Sequence, residues 1–119
     1  MDSVQAVVEV APERFEELVA DALDELPEEL GRLMDNVVVQ VRDGAANGLL
    51  GLYEGVPLTA REAYGGLVMP DRITVYRRAI CHRCETEADV IEEVRVTVVH
   101  EVAHHFGIDD DRLDELGWA

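Results

Sequence analysis

Apolar positions recur at offsets of three and four from Phe15 through Leu18, Val19, Ala22 and Leu23 to Leu26, with acidic residues between them. That period predicts an amphipathic helix over residues 12–26, its face of Glu13, Glu16, Glu17, Asp21, Asp24 and Glu25 turned to water. Pro27 stops it and opens a short second helix through Leu30 and Leu33. The period then changes. Residues 37–41 are a β-branched run bounded by Asn36 and the Asp43-Gly44 turn, a strand pattern. Asn47-Gly48 marks another turn before a second strand over 49–54. Residues 55–69, with Pro57 and the Gly65-Gly66 pair, predict an irregular loop. From 72 to 80, Ile73, Val75 and Arg77 alternate against Thr74, Tyr76 and Arg78 as a third strand.

Thr86, followed three residues later by Asp89, forms a capping box in which aspartate replaces the usual glutamate, and it starts a helix running to Phe106. Val94, Val96, Thr97, Val98 and Val99, read alone, pass for a strand. Helical spacing decides: Ile91, Val94, Val98 and Val102 form one inward set, and Val99, Ala103 and Phe106 another. His100 and His104 share a different stripe with Glu93 and Thr97, which opens toward a cleft.

At 119 residues and 48% hydrophobic content, the chain is the size of one domain, residues 1–119, with one core. The 26 acidic against 10 basic residues give a formal charge of −16, which repels phosphate backbones and anionic membranes. Nucleic acid is therefore excluded as the expected partner, and the field favours cations and basic or neutral peptides. The first residues carry no basic stretch followed by an apolar core, and no window approaches the roughly 18 apolar residues of a membrane span. A cytoplasmic protein with no membrane partner is the expectation. Its oligomeric state is open, a homodimer included. Cys81 and Cys84 lack the second pair that a structural zinc requires. They read as two reduced cysteines in a turn, with a labile disulfide as the alternative.

The chemistry concentrates in His-Glu-Val-Ala-His-His-Phe-Gly-Ile-Asp-Asp, residues 100–110. Four residues apart on a helix, His100 and His104 aim at one point, the spacing that two zinc ligands need. Glu101, rotated about 100° from His100, has its carboxylate beside the metal, where a general base belongs. Gly107 lets the chain leave the helix through a turn that a Cβ resists. Asp110 then supplies the third ligand, leaving the fourth position for water. Asp109 and Asp111 flank it, and Asp110 is preferred on spacing. His105 points elsewhere on the helix, to an outer-shell or a surface role. Tyr53, Tyr64 and Tyr76 are weighed as oxyanion donors, and packing is the reading adopted for each.

This motif, continued by Asp111-Arg-Leu-Asp-Glu-Leu-Gly117, together with Leu49-Leu-Gly-Leu-Tyr-Glu-Gly-Val-Pro57 and Pro70-Asp-Arg-Ile-Thr-Val-Tyr-Arg-Arg78, resembles the minimal zincins, a bacterial zincin-like metallopeptidase family. The resemblance implies an α+β zincin-like domain: a small mixed sheet of about three to four strands packed on an N-terminal backing helix and a C-terminal active-site helix. It also implies one Zn2+ per chain, held by His100, His104 and Asp110, with Glu101 as catalytic base; the substrate is not inherited along with the ligands, and a peptide or protein is the expectation. The alternative is a non-hydrolytic metal-binding or protein-interaction module that keeps the site. No methionine follows Met69, so the methionine turn of the larger metzincins is not expected, and Trp118 either packs beneath the ligands or plugs the core.

Overall fold

The computed structural model describes residues 8–28, 31, 34, 36–44, 47–55, 71–109, 111, 112 and 115. Leu30 and Leu33 of the predicted second helix, most of the predicted loop with Tyr64, the third-ligand candidate Asp110, and Trp118 lie outside the described residues; Glu28 and Gly31 of that helix are described and helical, with Gly31 N donating to the Pro27 carbonyl at 3.0 Å. The first helix, α1 (Pro12–Asp24), begins with proline at its first position, where no N–H is missed, and buries Phe15, Leu18, Val19 and Ala22. Among the described residues three strands follow: β1 (Val37–Arg42), β2 (Gly51–Glu54) and β3 (Asp71–Tyr76). They form a mixed sheet in the order β1-β3-β2, with β1 parallel and β2 antiparallel to the central strand. Val37 stands opposite Asp71 on one side, and Gly51 opposite Val75 on the other. Asp71, Ile73 and Val75, alternate residues of β3 on one face, are all buried.

The alternation expected over 72–80 stops early. β3 ends at Tyr76, and Arg77–Cys81 form a short helix, α2. Two causes act together. Arg77-Arg78-Ala79 contains no β-branched residue and favours a helix. In addition, the turn after β1 captures the chain: Arg78 N donates to the Asp43 carbonyl at 2.8 Å, and Arg77 Nη2 donates to Asp43 Oδ1 at 2.7 Å. The Arg77 guanidinium holds the Asp43 carboxyl below its usual range. Cys81 and Cys84, at and just beyond the end of α2, are free thiols buried in the core. Burial pushes both thiols up, and Glu93 and Asp89 push Cys84 further. Thiolate, the form that attacks disulfides, is thereby made scarce.

The long helix α3 (Glu87–His105) starts at the expected capping box: Asp89 N donates to Thr86 Oγ1 at 3.1 Å, and Thr86 N donates to Asp89 Oδ2 at 3.3 Å. Its inward stripe is Val90, Val94, Val98 and Val102, so Ile91, expected inside, is 42% exposed. Arg14 reaches Glu87 at 2.9 Å and ties α1 to the first turn of α3. On that side Val90 is buried and belongs to the same core cluster as Phe15, Leu18 and Val19 of α1. Val94, Val98, Val102 and Ala103 are buried as the spacing predicts, while Val99 and Phe106 are half-buried. Phe15, Leu18 and Val19 of α1 join this stripe, Ile73 and Val75 in one core cluster, with Val37, Val39 and Val41 packed against it. Among the described residues the result is the small α+β arrangement expected, with α1 and α3 packed on a three-stranded sheet.

Candidate active site

The helix α3 must lie close to β2 for its polar stripe to face anything, and a missing side chain makes that approach fit. A Cβ on Gly51 would fall 2.7 Å from Thr97 Cγ2 and 3.1 Å from Glu101 Cγ. Glycine at the start of β2 therefore lets Glu101 lie flat against the strand, where it is buried to 7% exposure. Gly51 faces Thr97 and Glu101, and the ring of Tyr53 lies 6.0 Å from that of His105, so β2 and α3 run in the same direction. Between them is a cleft of about 240 Å³, lined by Leu49, Leu50 and Gly51 on one wall and by Glu93, Val96, Thr97, His100 and Glu101 on the other. The stripe of Glu93, Thr97 and His100 anticipated from helical spacing is the helical wall of this cleft.

His100 and His104 are half-buried, with ring centroids 4.9 Å apart and planes inclined at 74°. Glu101 Oε1 lies 3.2 Å from His104 Nδ1, so Nε2 is the nitrogen turned away from the carboxylate. Two imidazoles one helical turn apart, with a carboxylate against one of them, are a donor set that zinc accepts. Among the described residues no group of three His, Cys, Asp or Glu side chains gathers at metal-binding range. The expected third ligand, Asp110, is not one of those residues.

Its approach path is described. Gly107 has φ +74°, the left-handed conformation anticipated for it. Ile108 N donates to the Ala103 carbonyl at 2.8 Å and Gly107 N to the His104 carbonyl at 3.0 Å. This pair of bonds is a Schellman motif, which ends α3 and turns the chain back. Asp109 is already engaged, its Oδ1 accepting from Arg112 N at 2.9 Å as a cap for the residues that follow.

Beneath the site lies a polar cluster that sequence reasoning missed. His105 is 2% exposed, and its Nδ1 stands 2.7 Å from Asp71 Oδ2. Tyr53 donates its hydroxyl to the same oxygen at 2.6 Å, which commits that phenol to the core. Gly55, with φ +153°, passes so close to Asp71 that a Cβ there would fall 2.5 Å from Oδ1. The cluster joins β2, β3 and the last turn of α3. One signal was available: His105 is seven residues after Val98, two helical turns along the buried stripe. Tyr53 and Asp71 carried no such mark, because their meeting depends on strand pairing.

The sequence profile described as zincin-like metallopeptidase matches residues 3–118. The chain belongs to that family. Among solved structures, a conserved hypothetical protein from Thermus thermophilus is similar to this zincin-like chain: TM-score 0.56, 29% identity, covering 90% of this chain and 97% of that one. A comparison with curated proteins finds no match. For a zincin-like metallopeptidase the expected cofactor is zinc, and the paired histidines of α3 agree with it in type and spacing. Among the described residues, no helix is long and apolar enough to cross a membrane.

Proposed function

We propose that this protein is a zinc-dependent peptidase in which His100, His104 and Asp110 hold the metal and Glu101 is the general base. The observation that carries the reading is the position of Glu101, a carboxylate buried against β2 at the floor of a cleft and touching one of two adjacent imidazoles. Zinc, when bound, supplies a Lewis acid that polarises a carbonyl and acidifies a water. Glu101 takes the proton of the attacking water on Oε2, the oxygen not set against His104 Nδ1, and returns it to the departing amine. Low exposure keeps bulk water from competing for that proton.

Substrate orientation follows from β2. Tyr76 N donates to the Leu50 carbonyl at 2.9 Å, so the alternation of an antiparallel pair turns the main-chain groups of Gly51 and Tyr53 outward. Among the described residues β2 is an edge of the sheet, and an extended peptide pairs there with its scissile carbonyl above Glu101.

The test combines metal and activity. Zinc-loaded protein is screened against a diverse peptide library alongside Glu101→Gln. Glu101→Gln should keep its zinc and lose about 10²- to 10⁴-fold in cleavage rate. Asp110→Asn should weaken zinc more than Asp109→Asn does. Cleavage unchanged in Glu101→Gln rejects the mechanism. A zinc-loaded wild-type protein that cleaves nothing transfers the reading to a non-hydrolytic metal-binding module.

A further inference from the structure

The cleft continues past the histidines. Glu93 lies seven residues before His100 on the same stripe, two turns or about 10 Å along the helix axis. Its side chain lines the far end of the cleft and is half-buried there. It makes no hydrogen bond or ion pair with any described residue. The neighbouring cation is committed elsewhere: Arg95 Nη2 holds Glu92 Oε2 at 2.6 Å. A carboxylate on the wall of a cleft, with no ion-pair partner among the described residues, attracts a cation that enters the cleft. The same cleft is lined by two exposed apolar side chains, Val96, 41% exposed, one turn on from Glu93, and Leu49, 37% exposed. The combination matches a long aliphatic stem ending in a positive charge.

Geometry sets the distance from the reacting bond. An extended peptide rises about 3.3 Å per residue, so the roughly 10 Å between His100 and Glu93 spans about three residues, or two when a long side chain leans along the cleft. We propose that Glu93 is a specificity-determining residue that receives a lysine or arginine side chain two or three residues from the scissile bond, on the one side of it to which the cleft extends. This rests on the peptidase reading for its function. The cation site itself is tested by binding, so the two fail separately.

The probes are alanine–serine octapeptides, each carrying one lysine, arginine, norleucine or glutamate stepped through its length. They are titrated calorimetrically into the zinc-loaded full chain and scored in parallel for cleavage by mass spectrometry. Lysine and arginine peptides should bind about fivefold more tightly than norleucine peptides, the upper range for one partly exposed ion pair, with glutamate weakest. Glu93→Gln should abolish the preference and Glu93→Lys should reverse it. Glu92→Gln, which alters net charge equally at an exposed site, should leave it intact. Equal binding of all four series, a preference that survives Glu93→Gln, or no saturable binding up to millimolar peptide overturns the proposal. A Glu93-dependent preference without cleavage upholds the cation site and counts against hydrolysis, and cleavage without the preference does the reverse.

Discussion

His104 and His105 are neighbours in sequence and opposites in environment. The first is half-buried beside the cleft with Glu101 against its ring, and the second is sealed in the core against Asp71. One residue is about 100° of helical rotation, enough to set one imidazole against Glu101 and the next against the sheet. The two sides differ in what holds their polar groups, although inside His105 Nε2 is buried with no hydrogen-bond partner among the described residues. Inside, one carboxylate oxygen serves both the His105 ring and the Tyr53 hydroxyl, at 2.7 and 2.6 Å. At the cleft, His104 Nδ1 faces Glu101 Oε1 at 3.2 Å. The inner cluster therefore acts as a clamp that joins β2, β3 and the end of α3, and the outer stripe keeps its geometry because the clamp holds.

The sharpest way to break this comparison is to remove the clamp. Asp71→Ala strips the acceptor from the buried His105 and the half-buried Tyr53 and should cost about 3–5 kcal/mol in the metal-free protein, read by denaturant unfolding. A loss no larger than that of an ordinary surface substitution would mean that the cluster carries no weight. His104→Ala should do the opposite. Metal-free stability should stay within about 0.5 kcal/mol, while zinc affinity falls by more than about 100-fold, beyond the range of outer-shell changes. If zinc survives in His104→Ala and unfolding suffers instead, the roles of the two histidines have been exchanged.

A smaller effect sharpens the boundary between the two regions. Gly51→Ala places a methyl against Thr97 Cγ2 and Glu101 Cγ and should cost about 1–3 kcal/mol through overpacking. It should also lower peptide cleavage, because the base is the group displaced. Thr97→Ser removes the closer of the two obstructing carbons, so the double variant should regain stability. Cleavage should remain lowered, since Glu101 Cγ still opposes the new methyl. A double variant as unstable as Gly51→Ala would show that the obstruction lies elsewhere.

Much of this was legible in the sequence wherever the governing interaction is local. The capping box at Thr86 and Asp89, the left-handed Gly107, the inward α1 stripe and the common face of His100 and His104 all arise within a few residues of chain. Helical periodicity needs no partner to be read. It failed at Ile91, where the core shared with α1 took Val90 in its place, and at Arg77, where the turn holding Asp43 drew the chain from strand into helix.

The sequence by itself determined the family, the mixed α+β composition and the stretch of helix that bears the chemistry, because each is written in residue types at short, fixed spacings. Only the tertiary structure decided that Gly51 is the notch that admits Glu101, that Tyr53 is committed to Asp71, and that Leu49 and Leu50 form the wall facing the helical stripe. The first two join residues 50 and 18 positions apart in the chain. Pairing register and helix-on-sheet contact bring them together, and neither leaves a local pattern to read.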